Sequence, residues 1–239
     1  MSKKVINQNA KYDLELINSI ESNFIYSDKP INRLGNKPIT TSSEIFDKKH
    51  KISELFKKIN SIEDCKLKNN SQNLLLGDGN INSPIMLIGE APGVAEDQSG
   101  KTFQSSAGVL LEKMLSAINI KIENIYKCYA INFRPPDDRK PTSSEIKRYA
   151  FFLQEHISII EPKIIILMGS TAMESLTGLN SKISIERGKW KEVIVKNTSY
   201  KVIITFNPSY LLRTPENKKY SWEDLKKIKQ KIIDLKLNI

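Results

Sequence analysis

Cysteine and histidine are nearly absent from these 239 residues: Cys65, Cys128, His50 and His156 are the full set. Two thiols exclude a disulfide-built scaffold, a four-cysteine zinc site and a four-thiolate iron–sulfur cluster. Two imidazoles argue against a multi-histidine metal centre. No apolar run approaches the roughly 20 residues that a membrane-spanning helix needs. The opening MSKKVINQNAKYD carries charge with no apolar signal core behind it. The expectation is a soluble protein of a reducing compartment, by default the cytoplasm.

What is present is a chain long enough for one substantial domain. Lys and Arg number 37 against 27 Asp and Glu, a formal net charge of +10. The excess is mostly Lys, in a chain also rich in Ile and Asn. Base composition of the coding DNA can produce that trio, so charge alone divides evenly between a nucleic-acid partner and none.

Residues 1–40 read as an N-terminal appendage, with apolar spacing for a short helix from Asp13 to Ile20. The main domain is expected over 41–239. Thr41-Ser-Ser-Glu44 has capping-box form and opens a helical pattern through Ile45, Ile52, Leu55, Phe56 and Ile59. Beyond it, apolar strands at Pro84–Ile88, Ile125–Ile131, Lys163–Met168 and Lys201–Phe206 alternate with helical segments at Gly108–Ile118, Ser143–Ile160 and Ser221–Leu235. Further strand material at Glu192–Val195 precedes a turn at Asn197-Thr198-Ser199. Such alternation predicts a parallel sheet covered by helices. KIIILM is apolar along its whole length, which suits a central strand.

Ligands of such sheets sit beyond the carboxyl ends of the strands. Four unusual loops leave those ends: GEAPG at 89–93, RPPDDRKP at 134–141, Gly169-Ser170, and NPSYLLR at 207–213. Glu90 reads either as a carboxylate at a reacting centre or as a solvated acid in a turn. Leu211 and Leu212 read either as apolar tips that wedge into a base stack or as the first packing residues of the last helix. A phosphate-cradling loop at GEAPG is a poor fit, because no Gly-Lys-Ser/Thr follows and the acids Glu96 and Asp97 would repel phosphate.

Taken together, GEAPGVAEDQSGKTFQSSAGVLLEKML, RPPDDRKPT, EPKIIILMGSTA, ERGKW and NPSYLLR resemble the ordered motifs of the uracil-DNA glycosylase superfamily, in particular its family 4 type. The resemblance spans about Asp64 to Leu235. It implies a three-layer α/β/α domain with a central, mainly parallel four-stranded sheet, and hydrolytic removal of uracil from DNA by a monomer. It also implies roles: Glu90 to position water and, with Gly89, contact uracil; Glu96 to guard the C5 edge; Phe103 to stack on the everted base. Ser209, Leu211 and Leu212, with the charge of Arg213, match the loop that grips phosphates and fills the vacated place.

The chain departs from that pattern at informative positions. Tyr129 stands where the family reads uracil with an Asn, and Asn207 stands where it has a His. An amide still donates toward uracil O2 but lacks a tunable proton. Thr102-Phe103-Gln104-Ser105 replaces a Pro-Phe-Val-Gly stretch. Of the four positions that hold the family 4 iron–sulfur cluster, Cys65 alone keeps its thiol; Lys68, Phe133 and Tyr149 stand at the others. No cluster and no other cofactor are therefore expected, with Phe133 and Tyr149 packing in its place. Three functions stay open: uracil removal, removal of another deaminated base, and DNA or lesion binding without catalysis.

Overall fold

The computed structural model describes residues 41–239 in its backbone and side chains from Ile45 onward. The expected appendage with its Asp13–Ile20 helix, and the capping side chains of Thr41 and Glu44, lie outside the described residues. Helix α1 spans Thr41–Asn60 and α2 Lys66–Asn70. The sheet then builds from β1 (Gly77–Gly79), β2 (Ile85–Gly89), β3 (Tyr126–Tyr129), β4 (Ile164–Met168), β5 (Trp190–Val195) and β6 (Thr198–Thr205). Between and after them come α3 (Val94–Ser99), α4 (Ser106–Ser116), α5 (Ser143–Ile160), α6 (Ser170–Thr177), α7 (Ile183–Glu186), α8 (Pro208–Arg213) and α9 (Lys218–Asp234).

The strand order is β1-β3-β2-β4-β6-β5. The middle four are parallel, as the alternation of strands and helices predicts, while β1 and β5 pair antiparallel at the two edges. The sheet thus has six strands rather than four. Both additions are edge strands: β1 is three residues with two glycines, and β5 folds back through a hairpin onto β6. That hairpin turns at Lys196 and Asn197, both at positive φ (46° and 67°), the geometry that matches strand twist in a two-residue turn.

The central strands are apolar on both faces because both faces are covered. Met86 and Ile88 of β2 and Ile165 and Leu167 of β4 join Leu153, Ile157 and Met173 of α5 and α6 in one cluster. The alternate residues, Ile85, Leu87, Ile164 and Ile166, join Leu111, Leu115, Leu225 and Ile228 of α4 and α9 in another. Period-two alternation therefore feeds two helical layers, the α/β/α arrangement. Helix α5 starts where its capping box dictates: Thr142 Oγ1 accepts from Glu145 N, and the Glu145 carboxylate accepts from Thr142 N. No helix among the described residues is long and apolar enough to cross a membrane.

A third cluster closes the corner between α1, α2 and α5, and it contains three of the four positions that match iron–sulfur ligands in the family pattern, Cys65, Phe133 and Tyr149. Cys65 Sγ lies 3.3 Å from Tyr149 Oη, and the Phe133 and Tyr149 rings meet edge to face at 6.3 Å. Leu55, Ile59 and Leu67 complete the packing. The Lys68 ammonium donates to the Asn60 and Ile62 carbonyls at the end of α1. Cys128, the other thiol, is buried in the α5–α6 layer instead. One thiol beside a phenol, a phenyl ring and a lysine does not fit a four-thiolate cluster.

Candidate active site

Strand order fixes the site. The carboxyl ends of β3, β2, β4 and β6 stand side by side, so Tyr129, Glu90, Gly169 and Asn207 follow one another along the rim of the sheet. They line a cleft of about 900 Å³ together with Phe103 and Arg213. Gly169 stands between Glu90 and Asn207, at φ +99°. A Cβ built there would lie 3.6 Å from Asn207 Nδ2 and 3.7 Å from Glu90 Oε2. The carboxylate and the amide thus flank the same small space, which the missing side chain leaves open.

Asn207 is oriented by its own helix. It is the N-cap of α8, and its Oδ1 accepts the Ser209 N–H at 2.9 Å. With the oxygen so committed, Nδ2 is left as a donor beside Gly169. The Ser209 amide is correspondingly occupied. Pro208 at the first helical position supplies the fixed φ that starts the turn.

The segment carrying Phe103 is held amide by amide. Thr102 N and Oγ1 both donate to Asp78 Oδ2 (2.7 and 2.8 Å), and Phe103 N donates to Tyr129 Oη (2.9 Å). Gln104 N and Ser105 N donate to Glu96 Oε1 (2.8 and 3.0 Å). Glu96 Oε2 accepts from Gly93 N, closing the capping box of α3. Four consecutive backbone amides are therefore satisfied by three side chains, and Phe103 is kept at a positive φ of 52°. Asp78 is itself ion-paired with the buried Lys127 at 2.7 Å.

Several expected roles change accordingly. Glu96 is 3% exposed and its carboxylate is engaged by three backbone amides, so it braces the Phe103 segment at the cleft wall. Gly89 is not open to a base edge: it is the register partner of Tyr129, and both rings lie over it. A Cβ there would come within 2.8 Å of Tyr129 Cδ1 and 2.9 Å of Phe103 Cζ. Tyr129 does not turn its hydroxyl to the cleft; its ring stacks on Phe103 with centroids 4.9 Å apart and planes 31° apart. Burial raises the pKa of that phenol, with the nearby Glu96 charge adding to it. Leu211 is fully buried in the α4–α9 layer and anchors α8, whereas Leu212 beside it is 40% exposed. Ser209 and Arg213 line the cleft.

Charge at the rim is mostly neutralised. Arg139 makes a bidentate pair with Glu145 (2.7 and 2.8 Å) and Arg134 pairs with Asp138. The Arg139 guanidinium holds the Glu145 carboxyl down to about 2. Lys140 and Arg213 have no acidic partner among the described residues. Lys140 Nζ instead donates to Ser170 Oγ at 2.9 Å across the cleft mouth. Lys140 and Asp78 are residues that the sequence did not single out, and Gly169 is named in a loop but given no role. Lys140 lies in the 134–141 loop, whereas Asp78 sits in a strand too short to read.

An acid and an amide donor at the ends of parallel strands, under a rim with two uncompensated cations, define a cleft suited to hydrolysing a bond in an anionic substrate. Comparison with known proteins agrees with that class. The family model described as the uracil DNA glycosylase superfamily matches residues 76–228, and the chain belongs to this superfamily. It is 36% identical over 180 residues to a type-4 uracil-DNA glycosylase of Thermotoga maritima, covering 74% of this chain and 91% of that protein. The corresponding enzyme of Archaeoglobus fulgidus is 32% identical over 181 residues, with 74% and 91% covered. That of Sulfurisphaera tokodaii is 36% identical over 192 residues, with 75% and 84% covered.

Proposed function

We propose that this protein is a monofunctional uracil-DNA glycosylase acting in base excision repair, with residues 41–239 as its catalytic unit. It everts a uracil nucleotide and hydrolyses the bond between uracil N1 and sugar C1′. The observation that carries the reading is the pairing of Glu90 and Asn207 about Gly169, in a chain of this superfamily.

Lys140, Arg213 and Ser209 hold phosphates without regard to sequence. Eversion costs a few kcal/mol, least at a mismatch such as U·G, and the exposed Leu212 fills the gap left in the stack. As the C1′–N1 bond lengthens, its electron pair leaves with the base and negative charge gathers on O2. Asn207 Nδ2 donates to that oxygen, an interaction stronger in the transition state than in the ground state. Glu90 faces the sugar, offsets its developing positive charge and orients a water molecule. The water oxygen bonds to C1′, and its proton passes through Glu90 to the departing uracil. An abasic site and free uracil result.

Water is the one co-reactant in this scheme, and the packing of Cys65, Phe133 and Tyr149 supports an enzyme that works without an iron–sulfur cluster. One chain supplies every residue invoked, in line with a monomer. Two buried free thiols suit the reducing cytoplasm.

The test is alkaline cleavage of uracil-containing duplexes and single strands after incubation with the protein. Uracil release is expected, falling by about 10²–10⁴-fold in Glu90→Gln with DNA binding retained. The Phe103–Tyr129 stack favours a second reading, a relative that binds DNA without catalysis. DNA binding with no alkali-labile site on uracil, hypoxanthine or xanthine substrates would select it.

A further inference from the structure

Tyr129 is buried, at 5% exposure, yet it stands outside all three apolar clusters. Its ring is spent on the cleft wall, against Phe103. Phe103 packs against the α4–α9 cluster and has the Tyr129 ring at 4.9 Å, tilted by 31° and within the contact range of aromatic pairs. The phenol oxygen accepts the Phe103 N–H at 2.9 Å. Beneath both rings lies Gly89, with no side chain. A flat ring stacked on Phe103, with an oxygen accepting that amide, is what an everted uracil would itself present.

We propose that Tyr129 is the resident occupant of the base seat, and that a target base takes the seat only by displacing the Tyr129 ring. The inference rests on the glycosylase reading and deepens it. Displacement frees the Phe103 amide, which then needs an acceptor in place of the phenol oxygen, since a buried N–H left unpaired is unfavourable. A base with a carbonyl oxygen on that edge, such as uracil, satisfies it. A base with an exocyclic amine there, such as cytosine, sets N–H against N–H. The exchange thus selects a carbonyl-bearing base without a reading amide on β3. Tyr129 is a specificity-determining competitor and contributes no atom to bond cleavage.

The experiment uses the full chain with Tyr129→Ala and Tyr129→Phe, each checked for folding by thermal melting. Binding is read by anisotropy on duplexes carrying 2′-fluoro-2′-deoxyuridine, whose glycosidic bond resists hydrolysis, and on the matched 2′-fluoro-2′-deoxycytidine duplex. Preference for the uracil duplex is expected to rise about tenfold in Tyr129→Ala, the loss of one stacked, hydrogen-bonded competitor. Tyr129→Phe keeps the ring but loses the tether and should fall between wild type and Tyr129→Ala. Weaker preference in both variants, with wild type still releasing uracil, would mean that Tyr129 supports Phe103 rather than competing with the base; the displacement idea falls and the enzyme assignment stands. Absence of both uracil preference and uracil release in all three proteins overturns the assignment and the inference together.

Discussion

Asn207 performs two tasks with the two ends of one amide. Its oxygen caps α8 by accepting the Ser209 N–H, and this leaves its nitrogen as the donor beside Glu90 and Gly169. The tasks can be separated. Asn207→Asp keeps a capping oxygen and loses the donor, so its melting temperature should stay near wild type while single-turnover uracil release falls about 10²–10³-fold. Asn207→Ala loses both and should also lose about 1 kcal/mol of stability. At this scale the sequence offers Glu90 at the exit of an apolar strand, whereas the resemblance to the glycosylase motifs is what points to Asn207. It did not decide between Leu211 and Leu212. Adjacent helical residues point about 100° apart, and only the docking of α8 on α4 and α9 determines which one is inside. Nor did it show the Tyr129 ring over Phe103, which depends on β3 lying beside β2.

At the scale of elements, the Phe103 segment is fastened from outside itself. Its amides are held by Asp78 on β1, Tyr129 on β3 and Glu96 on α3, so an edge strand of three residues helps to position an aromatic ring at the cleft. Asp78→Asn retains an oxygen for Thr102 but removes the charge that pairs with Lys127. The variant should raise KM several-fold, by about 1 kcal/mol of lost positioning, with kcat almost unchanged, because Phe103 holds the base and takes no part in bond breaking. Steady-state kinetics on a uracil duplex checks the split. Long elements with strong periodicity were readable: α5 runs over Ser143–Ile160 as its apolar spacing predicts, and the structure adds the Thr142–Glu145 capping box at its start. Gly77-Asp78-Gly79 carries neither apolar alternation nor strand-favouring residues, and it pairs only because β3 is there to receive it.

For the molecule as a whole, one buried base sets a dependence on acidity. His156 lies between α5 and the sheet, its Nε2 2.9 Å from Tyr126 Oη, and burial lowers its pKa to about 3. The folded state keeps the imidazole neutral while the unfolded chain protonates near 6.5. The unfolded state therefore binds the extra proton, and stability present above about pH 6.5 is lost as pH falls toward 3. Urea denaturation should show a loss approaching about 2 kcal/mol between pH 7 and 5, well above the range in which Glu145 takes up its proton. His156→Gln should flatten that slope.

The corner between α1, α2 and α5 has a different bearing on the life of the protein. It is closed by carbon side chains and a thiol–phenol contact. If the enzyme works without a cluster, as proposed, starvation for iron would leave that corner standing while the genome around it accumulated damage.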